Sequence, residues 1–275
     1  MPQGGPQMPI DWETAYDNVA AVPGARSLPG RWAAAASAFR EALGPRARRL
    51  AQGEHPRAVT DLFLPEGAAR GLAVFVHGGY WMRNAPDMFS HLAAGPLARG
   101  WAVAMPGYAL CPEATVPEIV GQTAAGIAAA AGQVAGPLRL SGHSAGGHLA
   151  ARMVCPGALP KAVLARVEGL VPISGLHDLR PLMRTPLQAT LGLDLASARA
   201  ESPALLEPAL VLPVTAWVGA AELTELRRQS ALLATVWGGL GLPARLVEDP
   251  GQDHFTVIEA LAERDSPLTE ALLGG

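Results

Sequence analysis

Short apolar runs alternate with segments of helical pattern along most of the chain. The apolar runs occupy residues 59–64, 72–77, 101–105, 137–141, 169–174, 212–218 and 244–248. The helical patterns occupy residues 87–99, 117–133, 145–155, 222–237 and 254–263. Runs that are apolar at nearly every position are typical of strands buried on both faces. The alternation therefore predicts an α/β fold with a mostly parallel central sheet covered by helices on both faces.

The chain is predicted to form a single domain over residues 1–275, because no internal repeat and no change of composition divides it. Residues 1–50 are irregular apart from an alanine-rich helical stretch at 31–43, and they are predicted to pack on the core or on a cap. Residues 175–210 are rich in Pro, Leu and Arg and are predicted to form a small cap-like insertion.

The composition excludes several classes of protein. With 49% hydrophobic and 16% charged residues, the chain is too apolar for a disordered protein. A net charge of −3 gives no electrostatic basis for binding nucleic acid or an acidic membrane surface. The most hydrophobic-looking run, 124–135, is interrupted by Gln133 and is too short to span a membrane.

The predicted location is the cytoplasm. The first ten residues, MPQGGPQMPI, have no basic region followed by an apolar stretch, so no signal peptide is predicted. Cys111 and Cys155 lie far apart and form no CxxC pair, which suits a reducing compartment.

Ser144 is the predicted nucleophile. It lies in the motif Gly142-His143-Ser144-Ala145-Gly146, between an apolar run and a helical segment. Ligands bind beyond the carboxyl ends of parallel strands, where a serine on a tight strand-to-helix turn presents its hydroxyl to substrate. The amide of Ala145 begins the helix and is predicted to stabilise an oxyanion, with the His143 ring beside the serine. The alternative is a serine that caps the helix between packing glycines.

A serine hydroxyl needs a base, and the base needs an acidic group that fixes its orientation. His254 follows the last apolar run, where the chain order serine, acid, histidine places the base. Glu222 follows the run at 212–218 and is predicted to be the acid. Asp178, after the run at 169–174, is the second candidate for the acid; otherwise it is predicted to contact substrate or brace the cap.

A glycine pair followed by two aromatic residues, His77-Gly78-Gly79-Tyr80-Trp81, marks a second part of the predicted site. The glycines allow the backbone to approach a substrate closely, so Gly78 is predicted to contact it and the amides of Gly79 and Tyr80 to stabilise the oxyanion. Trp81 is predicted to be a flat wall of the pocket, or alternatively an aromatic side chain buried in the core. No metal and no cofactor is predicted, because the histidines lack HxxEH or HxH spacing and acyl transfer needs neither.

These motifs together resemble the arylformamidase (kynurenine formamidase) branch of the α/β-hydrolase superfamily. The matching segments are DWETAYDN near the start, GEHPRAVTDLFLP at 53–65, HGGYW at 77–81, PGYALCPEATVPEIV at 106–120, SGHSAGGHLAARM at 141–153 and ISGLHDLRPL at 173–182. The resemblance implies the α/β-hydrolase fold and supports five site residues, Ser144, His254, Gly79, Tyr80 and Ala145. Family members commonly carry Asp where this chain has Glu222, and related hormone-sensitive-lipase-like esterases usually have a third glycine at the position of Tyr80.

The resemblance implies hydrolysis of an N-formyl aromatic amine, such as N-formylkynurenine, to formate and the free amine. Two other functions stay open. One is a carboxylesterase acting on short acyl esters, whose motifs look the same, and the other is a non-catalytic binding protein on the same fold. The expected partner is a small acyl amide or ester, and a homodimer is a further possibility.

Overall fold

The structure, a computed structural model, describes residues 10–274. The stretch 1–9, on which most of the signal-peptide prediction rests, and residue 275 lie outside the described residues.

A sheet of eight strands, counted over the described residues, forms the centre of the domain. The strands are β1 Ala47–Ala51, β2 Val59–Phe63, β3 Leu72–Val76, β4 Ala102–Pro106, β5 Leu138–His143, β6 Val167–Ile173, β7 Val214–Gly219 and β8 Ala244–Asp249. Their order across the sheet is β1-β2-β4-β3-β5-β6-β7-β8. The pairings of β1 with β2 and of β2 with β4 are antiparallel, and those from β4 to β8 are parallel. The prediction of a mostly parallel sheet is confirmed.

Helices cover both faces of this sheet. The α-helices are α1 Asn18–Ala21, α2 Leu28–Leu43, α3 Ala94–Ala98, α4 Val116–Ala131, α5 Ala145–Met153, α6 Lys161–Leu164, α7 Gln188–Leu191, α8 Leu195–Ala200, α9 Thr224–Gly239 and α10 Pro267–Leu273. On one face the core contains buried residues of α4, α5 and α9, and on the other buried residues of α2 and α10. Among residues 10–274, no helix has both the length and the apolar composition needed to cross a bilayer.

Several elements differ from the sequence prediction. Most of the helix predicted at 87–99 is a 3₁₀ segment, Pro86–Ala93, which α3 follows. β1 lies in the stretch predicted to be irregular, and it pairs with β2, where Arg49 forms a salt bridge with the buried Asp61. Because β1 is an edge strand, its residues are only partly buried or exposed and its apolar pattern is weak. The helix predicted at 254–263 is instead a 3₁₀ segment, Thr256–Ala262, and α10 follows it.

The segment 175–210 packs into the domain at its start and reaches the cavity described below at one point. It contains α7, α8 and two 3₁₀ segments, Arg180–Arg184 and Pro203–Leu205. Its leucines at 176, 179 and 182 are fully buried in the core on the side of α5 and α9. Residues 185–187 line the cavity. The role of the whole segment as a cap stays a prediction.

His177 in this segment and His148 in contact with it are both fully buried. His148 in α5 bonds through Nε2 to the carbonyl oxygen of Glu201 at 2.6 Å, and its ring meets Trp81 edge-on. Both ring nitrogens of His177 lack a hydrogen-bond partner among residues 10–274. Burial lowers the pKa of each histidine to about 3, so both rings are uncharged in the folded protein.

We expect these two histidines to make the protein less stable in mild acid. Below a pH of about 6.5 the unfolded chain binds a proton on each ring and the folded chain does not, so the free energy of unfolding falls by about 1.4 kcal/mol per pH unit for each ring. Urea unfolding between pH 7.5 and 5 measures this slope. In His177→Phe, the dependence of the free energy of unfolding on pH should be weaker by the contribution of one histidine. An unchanged pH dependence in that variant would contradict the account.

Candidate active site

Ser144 occupies a strained turn between β5 and α5. Its backbone angles are φ 56° and ψ −118°, a conformation that costs a non-glycine residue about 1–3 kcal/mol. A Cβ atom at Gly146 would lie 1.9 Å from the carbonyl oxygen of Val76, and one at Gly142 would lie 2.2 Å from that of Gly146. Only glycine therefore fits at these two positions. This geometry agrees with a turn that presents a nucleophile at the carboxyl end of a central strand.

His254 and Glu222 form a buried hydrogen-bonded pair. Nδ1 of His254 lies 2.6 Å from Oε2 of Glu222. A carboxylate can only accept, so Nδ1 carries a proton, and in the neutral form of the ring Nε2 then has a free lone pair. The other carboxylate oxygen, Oε1, accepts hydrogen bonds from Ser174 Oγ at 2.5 Å and from the Gly219 amide at 2.8 Å.

The Glu222 carboxylate is stabilised in its charged form. Burial alone would raise its pKa, but the charge of His254 and the hydrogen bonds to the carboxylate outweigh burial and lower the pKa. An ionised carboxylate on Nδ1 fixes the tautomer of His254 and stabilises the imidazolium that forms when Nε2 takes up a proton.

Ser144 and His254 line the same cavity. No hydrogen bond joins the Ser144 hydroxyl to His254 Nε2 among the hydrogen bonds of residues 10–274. Hydrogen bonds between catalytic groups are often long or poorly aligned before substrate binds and tighten in the complex. His143 also lines the cavity, and its ring centroid lies 4.6 Å from that of His254. Burial and the neighbouring His254 lower the pKa of His143 to about 3, so this ring stays neutral.

The loop after β3 lies directly against the serine. A Cβ atom at Gly78 would lie 2.9 Å from Ser144 Cβ, so only a glycine backbone approaches the serine this closely. The Gly78 carbonyl oxygen accepts hydrogen bonds from His77 Nδ1 at 2.9 Å and Asn84 Nδ2 at 3.1 Å. In a trans peptide the next N–H points the opposite way, so the amide of Gly79 faces away from these donors.

Three backbone amides near Ser144 are available to a ligand. Among residues 10–274, the amides of Gly79 and Tyr80 donate no hydrogen bond. The amide of Ala145 is the first in α5, and the first N–H groups of a helix have no partner within it. Both Gly79 and Tyr80 line the cavity. This arrangement can bind an oxyanion that develops on a carbonyl attacked by Ser144.

Two predicted substrate contacts are wrong. Trp81 is completely buried in the core and meets His148 edge-on, with ring centroids 5.0 Å apart, so it does not form a wall of the cavity. Its backbone φ of 57° lies in the left-handed region, which non-glycine residues rarely adopt. The carboxylate of Asp178 is bound by Arg180 at 2.9 and 2.7 Å and does not line the cavity. Asp178 therefore contacts neither His254 nor the cavity.

The N-terminal segment supplies much of the cavity wall. The cavity has a volume of about 610 Å³, and aromatic side chains from several parts of the chain surround it: Trp12, Tyr16, Trp32, Tyr80 and Phe255. Charged side chains of both signs also line it: Glu13, Asp17, Arg26 and Arg83. Residues 1–50 were predicted only to pack on the core or on a cap, and no residue before position 77 was predicted to belong to the site. Their only signal was the resemblance of DWETAYDN to the N-terminal segment of the arylformamidase branch.

Four hydrogen bonds help to hold this segment in place. The Tyr80 hydroxyl donates to the carbonyl oxygen of Tyr16 at 2.7 Å and accepts from Asn18 Nδ2 at 3.0 Å. The Tyr16 hydroxyl donates to Glu225 Oε1 at 2.6 Å. Trp32 Nε1 donates to Glu259 Oε1 at 2.7 Å. The Tyr80 side chain is thus hydrogen-bonded to the N-terminal segment that lines the cavity.

No metal site accompanies this arrangement within the described residues. Among residues 10–274, no group of three or more His, Cys, Asp or Glu side chains lies close enough to hold a metal ion.

Two solved structures with the same fold bear the names of hydrolases. A proposed thioesterase from Silicibacter sp. TM1040 is 47% identical, with a TM-score of 0.92 over 96% of this chain and 100% of that chain. An esterase from Pyrobaculum calidifontis shares the fold at 18% identity, with a TM-score of 0.67 over 90% of both chains. The sheet, the strained serine turn and these neighbours define the protein as an α/β-hydrolase and a hydrolytic enzyme.

Sequence comparison identifies the family. The family model described as BD-FAE matches residues 60–159. A kynurenine formamidase from Salmo salar is 30% identical over an alignment of 249 residues, and the match covers 83% of this chain and 83% of that protein. One from Drosophila melanogaster is 31% identical over an alignment of 234 residues, and the match covers 78% of this chain and 77% of that protein. The chain belongs to the kynurenine formamidase family.

Proposed function

We propose that this protein is a serine hydrolase that removes the formyl group from N-formyl aromatic amines of the N-formylkynurenine type. The observation that carries the proposal is the convergence of Ser144 and the His254–Glu222 pair on one aromatic-walled cavity. The names of the relatives from Salmo salar and Drosophila melanogaster support the substrate class.

In the first step, Ser144 attacks the carbon of the formyl carbonyl while His254 Nε2 takes the hydroxyl proton. The carbonyl oxygen becomes an oxyanion, which the amides of Gly79, Tyr80 and Ala145 stabilise. One such donor typically contributes about 3–4 kcal/mol to the stability of the transition state. Glu222 stabilises the imidazolium during this step.

In the second step, the carbon–nitrogen bond breaks and the His254 imidazolium gives its proton to the nitrogen of the leaving arylamine. An amide nitrogen is a poor leaving group without this proton, so His254 must act as a general acid as well as a base. The product is a formyl ester on Ser144. Water then gives a proton to His254 and attacks the ester carbon. The bond from that carbon to the Ser144 oxygen breaks, the His254 imidazolium returns its proton to this oxygen, and formic acid leaves and ionises to formate.

The walls of the cavity suit a planar aromatic amine. Tyr80 and Phe255 offer aromatic surface near the catalytic residues, and Trp12 and Trp32 offer it from the N-terminal segment. N-formylkynurenine also carries an amino group and a carboxylate of opposite charge. Acidic and basic side chains line the same cavity, so both charges of such a substrate can be matched there.

A carboxylesterase acting on short acyl esters is the second candidate function. The same groups cleave esters, whose leaving oxygen needs less help from an acid. The structural neighbours include esterases and a proposed thioesterase, and these names support an ester or thioester substrate.

The two functions are separated by kcat/KM values measured side by side on N-formylkynurenine and on p-nitrophenyl acetate and butyrate. The proposal expects formate release from N-formylkynurenine with the higher kcat/KM. An ester preference of several orders of magnitude, with no detectable formate release, would overturn it in favour of the esterase. Ser144→Ala protein provides the background rate for each substrate.

Tyr80→Phe is expected to lower kcat about tenfold, because it removes two hydrogen bonds of about 1 kcal/mol each that hold the oxyanion loop against the N-terminal segment. The backbone amide of residue 80 remains, so the loss measures its positioning. Steady-state kinetics on the preferred substrate test this, with Asn18→Ala as a partner variant that removes one of the two bonds and should lose less. Wild-type kcat in Tyr80→Phe would show that the contact does not position the loop.

A cytoplasmic location and a homodimer are also proposed, from the sequence. Both cysteines, Cys111 and Cys155, are buried free thiols, which supports a reducing compartment. The proposed activity includes a catalytic triad of Ser144, His254 and Glu222. It also includes an oxyanion hole formed by the amides of Gly79, Tyr80 and Ala145.

A further inference from the structure

Ser174 holds an unusual position directly after β6. It is fully buried, its φ of 50° lies in the left-handed region, and its amide donates to the carbonyl oxygen of Trp217 in β7 at 2.7 Å. A non-glycine residue in this region costs about 1–3 kcal/mol, and such strain persists only where the surrounding structure enforces it. The strained residue bears a hydroxyl that bonds directly to Glu222.

The bond from Ser174 belongs to a set of three that together immobilise the Glu222 carboxylate. Ser174 Oγ and the Gly219 amide both donate to Oε1, at 2.5 and 2.8 Å, while His254 Nδ1 lies 2.6 Å from Oε2. With Oε1 fixed from two directions, the carboxylate cannot rotate and Oε2 stays directed at the imidazole. A glutamate needs this support more than an aspartate because its side chain has one more rotatable bond.

Among residues 10–274, the Gly219 amide is the one other donor to Glu222 Oε1 if the Ser174 hydroxyl is lost. A Cβ atom at Gly219 would lie 2.3 Å from the carbonyl oxygen of Gln252 and 3.2 Å from Glu222 Cγ, so the backbone is packed against the acid on that side. The Gly219 amide alone would then hold Oε1, and one donor fixes a position but not an orientation.

We propose that Ser174 is a positioning residue of the active site, which fixes the Glu222 carboxylate so that it orients His254. This inference rests on the proposed role of Glu222 but not on the choice between formamide and ester substrates. Ser174 touches neither the substrate nor the serine nucleophile. Its effect reaches the reaction only through Glu222 and His254.

Ser174→Ala is expected to lower kcat by about 10- to 100-fold, the range for a lost hydrogen bond to a charged group, with KM changed less than about twofold. Ser174→Gly should give the same loss, and because glycine adopts φ 50° without strain, it keeps the test valid if the alanine variant folds poorly. Ser230→Ala is the matched control. Its hydroxyl is buried and has no partner among residues 10–274, so wild-type kcat is expected.

A double-mutant cycle with Glu222→Ala distinguishes positioning from a general structural role. If Ser174 acts through Glu222, Ser174→Ala makes no further difference once Glu222 is alanine. An equal loss in both backgrounds would overturn the inference, as would wild-type kcat in both Ser174 variants while Glu222→Ala is severely impaired. Full activity of Glu222→Ala itself would refute the proposed acid and the inference with it. The cycle can use any substrate that the enzyme hydrolyses. Its result therefore does not depend on whether the formamide assignment is correct.

Discussion

Ser144→Ala is expected to lower kcat by about 10⁴- to 10⁶-fold, the loss usually seen when the nucleophile of a serine hydrolase is removed. No acyl-enzyme forms without the hydroxyl. The residual catalysis then comes only from binding the substrate next to the oriented backbone amides and the base His254. KM should change little, because the small hydroxyl contributes little to ground-state binding. Formate release under saturating substrate, followed over hours, measures the residual rate.

The fold should survive this substitution. Alanine at position 144 meets the same left-handed φ of 56° as serine, so the strain of the turn is unchanged. The circular dichroism spectrum and the Tm of the variant should match those of the wild type and of Ser230→Ala. More than a tenth of wild-type turnover in well-folded Ser144→Ala protein would show that another group is the nucleophile.

Glu222→Ala is expected to lower kcat by about 10³- to 10⁴-fold, whereas Asp178→Ala should lower it by less than about tenfold. Without Glu222 the proton on His254 Nδ1 has no acceptor, so the imidazole is free to adopt the wrong tautomer and its charged form loses its counter-ion. Asp178 instead forms a salt bridge with Arg180. Replacing Asp178 removes this salt bridge but no contact with His254.

The two variants control for each other, because each removes one carboxylate at the carboxyl end of the sheet. Steady-state kinetics at pH 7.5 on the same substrate give the comparison. Glu222→Asp keeps a carboxylate on a shorter side chain, so this variant should be more active than Glu222→Ala. A larger loss in Asp178→Ala than in Glu222→Ala would reverse the assignment of the acid.

The sheet was largely predictable because most of its strands are buried on both faces. Burial on both faces makes nearly every position apolar, as in LAVFV of β3, and such runs are visible without any knowledge of their neighbours. β1 was not predicted, because an edge strand exposes most of its residues and ARRLA reads as a polar stretch. The 3₁₀ form of Thr256–Ala262 was not predictable either, since over a segment of 7 residues an apolar spacing of three fits both a 3₁₀-helix and an α-helix.

The candidate site was predictable where position along a strand decides it, and not where side-chain direction does. Ser144, Glu222 and His254 each follow a strand, and parallel strands bring their carboxyl ends to one edge of the sheet. Trp81 and Asp178 also lie at that edge. The Trp81 side chain is buried in the core, however, and the Asp178 carboxylate is bound by Arg180.

The cavity walls and Ser174 depend on tertiary contacts that no local pattern records. Trp12 and Trp32 meet the catalytic loops only because the N-terminal segment folds over the sheet edge and is anchored there by Tyr80, Glu225 and Glu259. Serine after β6 looks like an ordinary turn residue in sequence.

Covalent trapping tests the central claim, that the hydroxyl at position 144 is made nucleophilic by His254, more directly than kinetics. The protein is treated with diisopropyl fluorophosphate, which phosphorylates activated serines, and the adduct is located by peptide mass spectrometry. We predict one adduct, on Ser144, formed in proportion to the loss of activity and formed much more slowly in His254→Ala. Inactivation with the adduct on another residue, or equal labelling in His254→Ala, would contradict the account.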